Sequence, residues 1–461
     1  MNKKFVSLIS TTLVVLFATS CSKPITKAAI EMHTSENPIT TEYFEYSFDL
    51  EKYTVLEDEP NKEKAIVGLL FCANIAPNSL VKFENSDFSS KDCDDYLPFY
   101  QQLNLDDLIS QEIVSNNALD INDQSLINMA HKKINSHNKS YDIGFFSIVD
   151  SGAGVQWISN FDVGYDNEVY NNASGQHPEW TDHLTHKGFD VTSNRCMSVV
   201  ENYIVDKMDK DSEKVFYVYG HSRGGAVGNL VAKKLIDKGY NTTGYLFAGP
   251  NTTTAKDVTD NKYQRIFNYI NSKDIITMIP SNKWGFSRYG QIFLFDISEE
   301  KDHFKEMNHV SLPSGDLSLI PTALERLADS REKIYTFSDD LLIATSIPLD
   351  SEEQIEAFKN SYLDLLSEDS KGFLKSVVTT NDEGKYVVKL IACPALFTSM
   401  LSGSITSSFS GESSLDINSP FAQTFIKAAR LNTLDLLKLV GMSSFLLYNH
   451  YYHSYITYFT L

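Results

Sequence analysis

Positive charge is what this chain is short of. Across 461 residues, 40 Lys and Arg stand against 60 Asp and Glu, leaving a net charge of −20. So acidic a protein repels phosphate backbones, which excludes nucleic acid as a partner. Docking on anionic lipid through charge alone is disfavoured for the same reason. Low-complexity sequence is absent as a dominant feature and 12% of residues are aromatic, so the chain is expected to fold as a globular protein. Cysteine is sparse, at five, and none has metal-site spacing. His177, His183 and His186 lie close together but lack an acidic or cysteine partner at regular ligand spacing, so no metal is expected.

The N-terminus reads as a targeting segment. Lys3 and Lys4 supply a positive start, residues 5–18 form an apolar stretch too short to span a bilayer comfortably, and Ala18-Thr19-Ser20-Cys21 closes it with small residues. This resembles a bacterial lipoprotein signal, 1–21, in which Cys21 becomes the lipidated first residue. The resemblance implies a cell-envelope protein held to a membrane by its N-terminal lipid; a plain signal peptide or an uncleaved anchor is the alternative. Residues 22–41 are polar, with Pro24 and Pro38, and read as a flexible tether. Export would leave Cys72, Cys93, Cys196 and Cys393, an even number compatible with disulfides, for which three pairings exist.

Beyond the tether, residues 63–76, 103–114 and 123–135 show apolar spacing that predicts three helices. Residues 142–149 are a near-continuous apolar run, a candidate buried parallel strand. A long amphipathic helix is expected over 189–208, and further strands over 243–247 and 265–270. Between a strand at 215–219 and a helix at 226–235 sits Gly220-His221-Ser222-Arg223-Gly224. That G-x-S-x-G element in strand–turn–helix context exposes a serine hydroxyl on a strained turn, above the N-terminus of a helix. Strands alternating with helices predict a mostly parallel central sheet flanked by helices.

Several ordered motifs then converge. Trp157 with Asn160 three on, His186-Lys187-Gly188-Phe189, Gly220-His221-Ser222-Arg223-Gly224-Gly225 and Phe247-Ala248-Gly249-Pro250 follow one another, and then comes the segment 268–274 ending in Asp274. Their order resembles the class 3 (fungal-type) lipases, a branch of the α/β-hydrolases, over about 63–335. Trp284 to Gly290 and 323–335 look like stretches common in bacterial members. The resemblance implies an α/β-hydrolase-like core, 42–335, followed by a largely helical C-terminal extension, 336–461, that packs on the core. Amphipathic helix is expected there over 351–368, a Ser/Gly-rich break over 401–414 and a strongly apolar stretch over 421–447.

Serine-dependent ester cleavage needs a base to take the hydroxyl proton and a carboxylate to orient that imidazole. Ser222 is the candidate nucleophile. Asp274, just after a strand and downstream of the serine, is the candidate acid, with Asp257 or Asp260 as fallbacks. For the base, His309 lies about 35 residues beyond Asp274 but in a polar, loop-like stretch. His450 sits among aromatics able to hold it rigidly, and is preferred over His309, His453 and His303. Its spacing to the following aromatics is similar to the closing motif of bacterial relatives with long extensions. The oxyanion donors would be the backbone N–H of Arg223 and, by resemblance, of Gly152. The family usually reads Arg-Gly-Thr at that turn, where this chain has Asp150-Ser151-Gly152. His221 is expected to point away from the serine and pack. The expected function is hydrolysis of lipid carboxylic esters, acylglycerol or phospholipid, with no cofactor. A non-catalytic binding protein that keeps the fold is the competing expectation, motivated by the altered turn, and acyl transfer or thioester cleavage would use the same residues.

Overall fold

The computed structural model describes residues 26–33, 38–76, 79–84, 96–116, 122–150, 185–274, 276–278, 282, 286–313, 347–349, 378–380, 386–388 and 448–461. The first strands are β1 (Thr26–His33), β2 (Pro38–Thr40) and β3 (Phe44–Tyr46), followed by helix α1 (Lys62–Ile75) and strand β4 (Ser79–Phe83). Then come α2 (Leu97–Gln102), β5 (Asp106–Asn116), β6 (Asn122–Ser136), β7 (Lys139–Ile148) and α3 (Lys187–Asp206). The central unit continues as β8 (Glu213–His221), α4 (Arg223–Asp237), β9 (Asn241–Phe247), β10 (Ile266–Asn271), β11 (Gln291–Phe295) and α5 (Lys301–Asn308). Three short strands, β12 (Ile347–Leu349), β13 (Val378–Thr380) and β14 (Tyr386–Val388), pair antiparallel, and α6 (Tyr452–Thr460) closes the order.

The seven-stranded sheet runs β11-β10-β9-β8-β7-β6-β5. From β7 to β11 every pairing is parallel, while β5, β6 and β7 form an antiparallel meander at one edge. Each sheet face carries its own core. One face packs on α1, α6 and the small sheet of β1 to β4, and the other on α3 and α4. This is the mostly parallel central sheet, covered on both faces, that the sequence implied. Helix α1 is apolar on all sides because it lies between two sheets, and all but its first two residues are buried. Its Phe71 stacks on Tyr219 of the central strand, ring centroids 4.7 Å apart.

Three expectations are corrected. The stretch read as a tether, 22–41, contains β1 and β2: Ala28, Ala29 and Ile30 are fully buried, and β1 pairs with β2, β3 and β4. The small residues there pack closely in the core, so a polar average concealed a strand. The helices expected over 103–114 and 123–135 are β5 and β6. In β5 the ladder to β6 shifts register between Asp106 and Ile109, and Asp107 takes φ 50°. That bulge resets the two-residue alternation and leaves apolar residues at a helix-like spacing. In β6 both faces are covered, Ile127 and Met129 facing one core and Ala130 the other, so alternation is lost altogether.

The disulfide expectation is also revised in part. Cys72 and Cys196 are buried thiols without a disulfide, and they sit in the cores on opposite faces of the sheet. Cys21, Cys93, Cys393, Gly152, Trp157, Asn160, His177, His183 and the stretches 323–335, 351–368 and 401–447 lie outside the described residues.

Candidate active site

Strand β8 ends at His221 and α4 begins at Arg223, so Ser222 alone makes the turn between them, with φ 54° and ψ −124°. A non-glycine residue there is strained, and the cost is met because the neighbouring backbone allows no other path. A Cβ on Gly220 would lie 2.0 Å from the carbonyl oxygen of Gly224, and one on Gly224 would lie 2.2 Å from that of Ile148. The two flanking glycines therefore exist to let helix and strand meet. The N–H of Ser222 donates to the Phe247 carbonyl at 2.9 Å, pinning the turn to β9. The positive end of α4 lies at the serine.

Asp274 follows β10 in a tight turn and is fully buried. One carboxylate oxygen, Oδ1, accepts the N–H of Ile276 at 3.0 Å, while Thr277 Oγ1 donates to the Asp274 carbonyl at 2.7 Å. Arg288, itself buried, donates to the Thr277 carbonyl. Burial pulls its pKa down to about 10, against the opposing charge of Asp274 and Tyr455.

The other oxygen of Asp274, Oδ2, meets His450 Nδ1 at 2.7 Å, and His450 Nε2 meets Ser222 Oγ at 2.8 Å. His450 lies just before α6, whose Tyr455 and Phe459 pack edge-on against Phe247. Because Asp274 only accepts, Nδ1 carries a proton in this arrangement and Nε2 is left to accept from the serine. Thus the sequence candidates Ser222, Asp274 and His450 come together from three separate stretches of chain.

The other histidines go elsewhere. His309 follows α5 in the left-handed region, is exposed, and pairs with Glu42 at 2.8 Å. The Nε2 of His303 lies 2.9 Å from Thr460 Oγ1. His453 is buried within α6, where burial pushes its pKa down to about 4. His186 caps α3, accepting the Phe189 N–H on Nδ1 at 3.4 Å. Of the fallback acids, Asp260 sits at the start of a short turn where its N–H bonds to the Asp257 carbonyl. Arg223 is the first residue of α4, and its Nη2 donates to Thr192 Oγ1 at 3.0 Å.

Two supports for the base were not anticipated. Asn271, at the end of β10, donates its side-chain amide to Asn449, the residue before His450, at 2.9 and 3.0 Å. His221 was expected to pack, and its ring does lie 4.3 Å from that of Tyr452. Its Nε2, however, also donates to the main-chain carbonyl of His450 at 2.8 Å. Nothing local in the sequence relates His221 to a carbonyl 229 residues away.

The stretch that joins the serine to the aspartate has relatives of known kind. Residues 150–284 match the family described as lipase (class 3). The match is confined to that segment. It takes in both Ser222 and Asp274, whereas His450 lies beyond it. No curated protein matches the chain. Among solved structures, the chain is similar to the triacylglyceride lipase of Rhizomucor miehei, with 18% identity and a TM-score of 0.28, over 41% of this chain and 66% of that one. It therefore spans just under two thirds of the length of that lipase. It is also similar to a mono- and diacylglycerol lipase from Aspergillus oryzae, at 15% identity and TM-score 0.30, covering 50% of this chain and 77% of that one. A lipase from Rhizopus microsporus var. chinensis is a third, at 12% identity and TM-score 0.26, covering 58% and 77%.

Proposed function

We propose that the protein is a serine hydrolase of lipid carboxylic esters, acylglycerols or phospholipids, with Ser222 as nucleophile, His450 as base and Asp274 as the acid that orients it. The observation that carries this reading is the unbroken relay from carboxylate to imidazole to hydroxyl, 2.7 and 2.8 Å long, on a strained turn. The class 3 lipase segment supports the same reaction class. Among the described residues no helix is long and apolar enough to cross a membrane.

In this mechanism His450 Nε2 takes the Ser222 proton as Oγ attacks the ester carbonyl carbon. Charge then develops on the carbonyl oxygen, and the main-chain N–H of Arg223 with the α4 dipole stabilises it. Gly152 is proposed as the second donor. Asp274 balances the imidazolium and keeps Nδ1 protonated. His450 next gives its proton to the departing alkoxide, leaving an acyl group on Oγ. Water, deprotonated by the same imidazole, attacks that acyl carbon and releases the acid.

Turnover of nitrophenyl esters of graded chain length tests the proposal against a binding protein that merely keeps the fold. Wild-type turnover that disappears in Ser222→Ala supports it, and the chain-length optimum separates esterase from lipase. Absence of turnover and of fluorophosphonate labelling at Ser222 would favour the binder. We further propose export and lipidation at Cys21, which Cys21→Ser tests: the variant should leave the membrane fraction.

A further inference from the structure

His221 and Asp150 are not needed for the chemistry just described, yet both are tied to the residues that perform it. The His221 ring is buried and spends its Nε2 proton on the carbonyl of His450, 2.8 Å away. A carbonyl can only accept, so this contact sets the tautomer and leaves Nδ1 to face Asp150 Oδ2 at 3.4 Å. The same carboxylate oxygen lies 3.3 Å from the hydroxyl of Tyr452, which also reaches the Cys72 carbonyl of α1 at 3.2 Å. Asp150 thus stands two residues beyond β7, His221 at the end of β8 and Tyr452 at the start of α6, and the three meet beside the base.

We propose that His221 is a positioning residue for His450. The inference rests on the serine hydrolase reading above. Of the two bonds of the relay, the one to Asp274 fixes rotation of the imidazole, but neither fixes the main chain from which it hangs. The His221 contact does this from the strand that also carries Ser222, so nucleophile and base share one rigid support. Asn271 holds the neighbouring Asn449 as well. The groups facing the His221 ring are Asp150 from the β7 turn and His450, Tyr452 and Tyr455 from the C-terminal segment. Burial lowers the pKa of His221, with Asp150 opposing. Neutral His221 therefore keeps its Nε2 proton on the carbonyl.

The test uses the full chain and a nitrophenyl ester that the wild type turns over. His221→Ala should lower kcat about 10- to 100-fold with little change in KM, because a displaced base costs rate and leaves ester binding intact. His221→Gln, whose amide can donate to the same carbonyl, should recover part of the loss. Active-site titration with a fluorophosphonate corrects each rate for the folded fraction. A purely structural role would lower the titratable active fraction without lowering kcat per active site, and His221→Gln would not restore the rate. If His221→Ala keeps kcat within twofold while Ser222→Ala is inactive, the positioning role is wrong and the hydrolase reading stands. If Ser222→Ala itself retains turnover, both fall.

Discussion

Two buried histidine–aspartate pairs occupy opposite ends of the same sheet. At the ends where β8 and β10 finish, His450 and Asp274 meet at 2.7 Å, with side chains 8% and 0% exposed. At the other end, near the starts of β7 and β8, His131 and Asp142 meet at 2.6 Å, again 8% and 0% exposed. By distance and burial the pairs are alike. They differ in what stands at the far nitrogen. His450 Nε2 faces the Ser222 hydroxyl, a group with a proton to give, whereas His131 Nε2 faces Asp107 Oδ2 at 3.2 Å, which only accepts. One imidazole is therefore set to exchange a proton and the other to keep two. Burial pulls the His131 pKa down, but hydrogen bonds and charge from Asp142 and Asp107 outweigh it and raise the pKa above its ordinary value. A histidine–aspartate pair alone does not make an active site; the third group decides.

The largest expected contrast is in turnover. His450→Ala should cut kcat/KM by about four orders of magnitude or more with the melting temperature nearly unchanged. Asp142→Ala should leave the specific activity of folded protein as it was. A large loss of ester turnover per folded molecule in Asp142→Ala would break the comparison.

Stability should show the reverse. Asp142 also accepts the Asp209 N–H at 2.6 Å, so Asp142→Ala strands a buried imidazole and a main-chain donor together. Breaking a buried pair in this way costs about 3–5 kcal/mol. Denaturant titration with an unchanged midpoint would show that the second pair holds nothing.

Charge state sharpens the contrast further. Because the folded pKa of His131 is raised, its contribution to stability is complete below the unfolded value and fades as pH rises through the folded one. Wild type should therefore lose stability upward from about pH 6.5, and His131→Gln should flatten that slope. Equal slopes in the two proteins would mean that His131 is not held charged.

The smallest effect is expected at His309. Its pair with Glu42 is exposed on both sides, so His309→Ala should alter stability by about 0.5 kcal/mol or less. Turnover should stay within twofold. A collapse of kcat there, beside a mild effect at His450, would move the base and dismantle the first half of the comparison.

What could be read from the sequence followed how local the signal was. The elbow at Ser222, the strands β7 to β10 and helices α1, α3 and α4 each announce themselves within a dozen residues or so. Strands β5 and β6 did not, since a bulge and two-sided burial removed their alternation. The second pair was hidden with them: His131 lay in an expected helix and Asp142 in a strand, with nothing to join them before the meander formed. Likewise β1 reads as polar chain until its partners are known. His450 was preferred for its aromatic surroundings, and the structure brings it to Ser222. The bond from His221 to its carbonyl had no trace in local sequence.

The span of the relay has a consequence for how the protein comes to act at all. His450 is 228 residues from Ser222 and 176 from Asp274 along the chain. Synthesis proceeds from the N-terminus, and the strands bearing serine and aspartate can pair while α6 is still being made. Under the proposed roles, such a growing chain has its hydroxyl in place but nothing to draw the proton from it. Docking of α6 against Phe247 and Tyr269 would be the event that switches hydrolysis on. An unfinished or clipped polypeptide would be a silent one, and onset of ester cleavage during translation would report the moment at which folding closes.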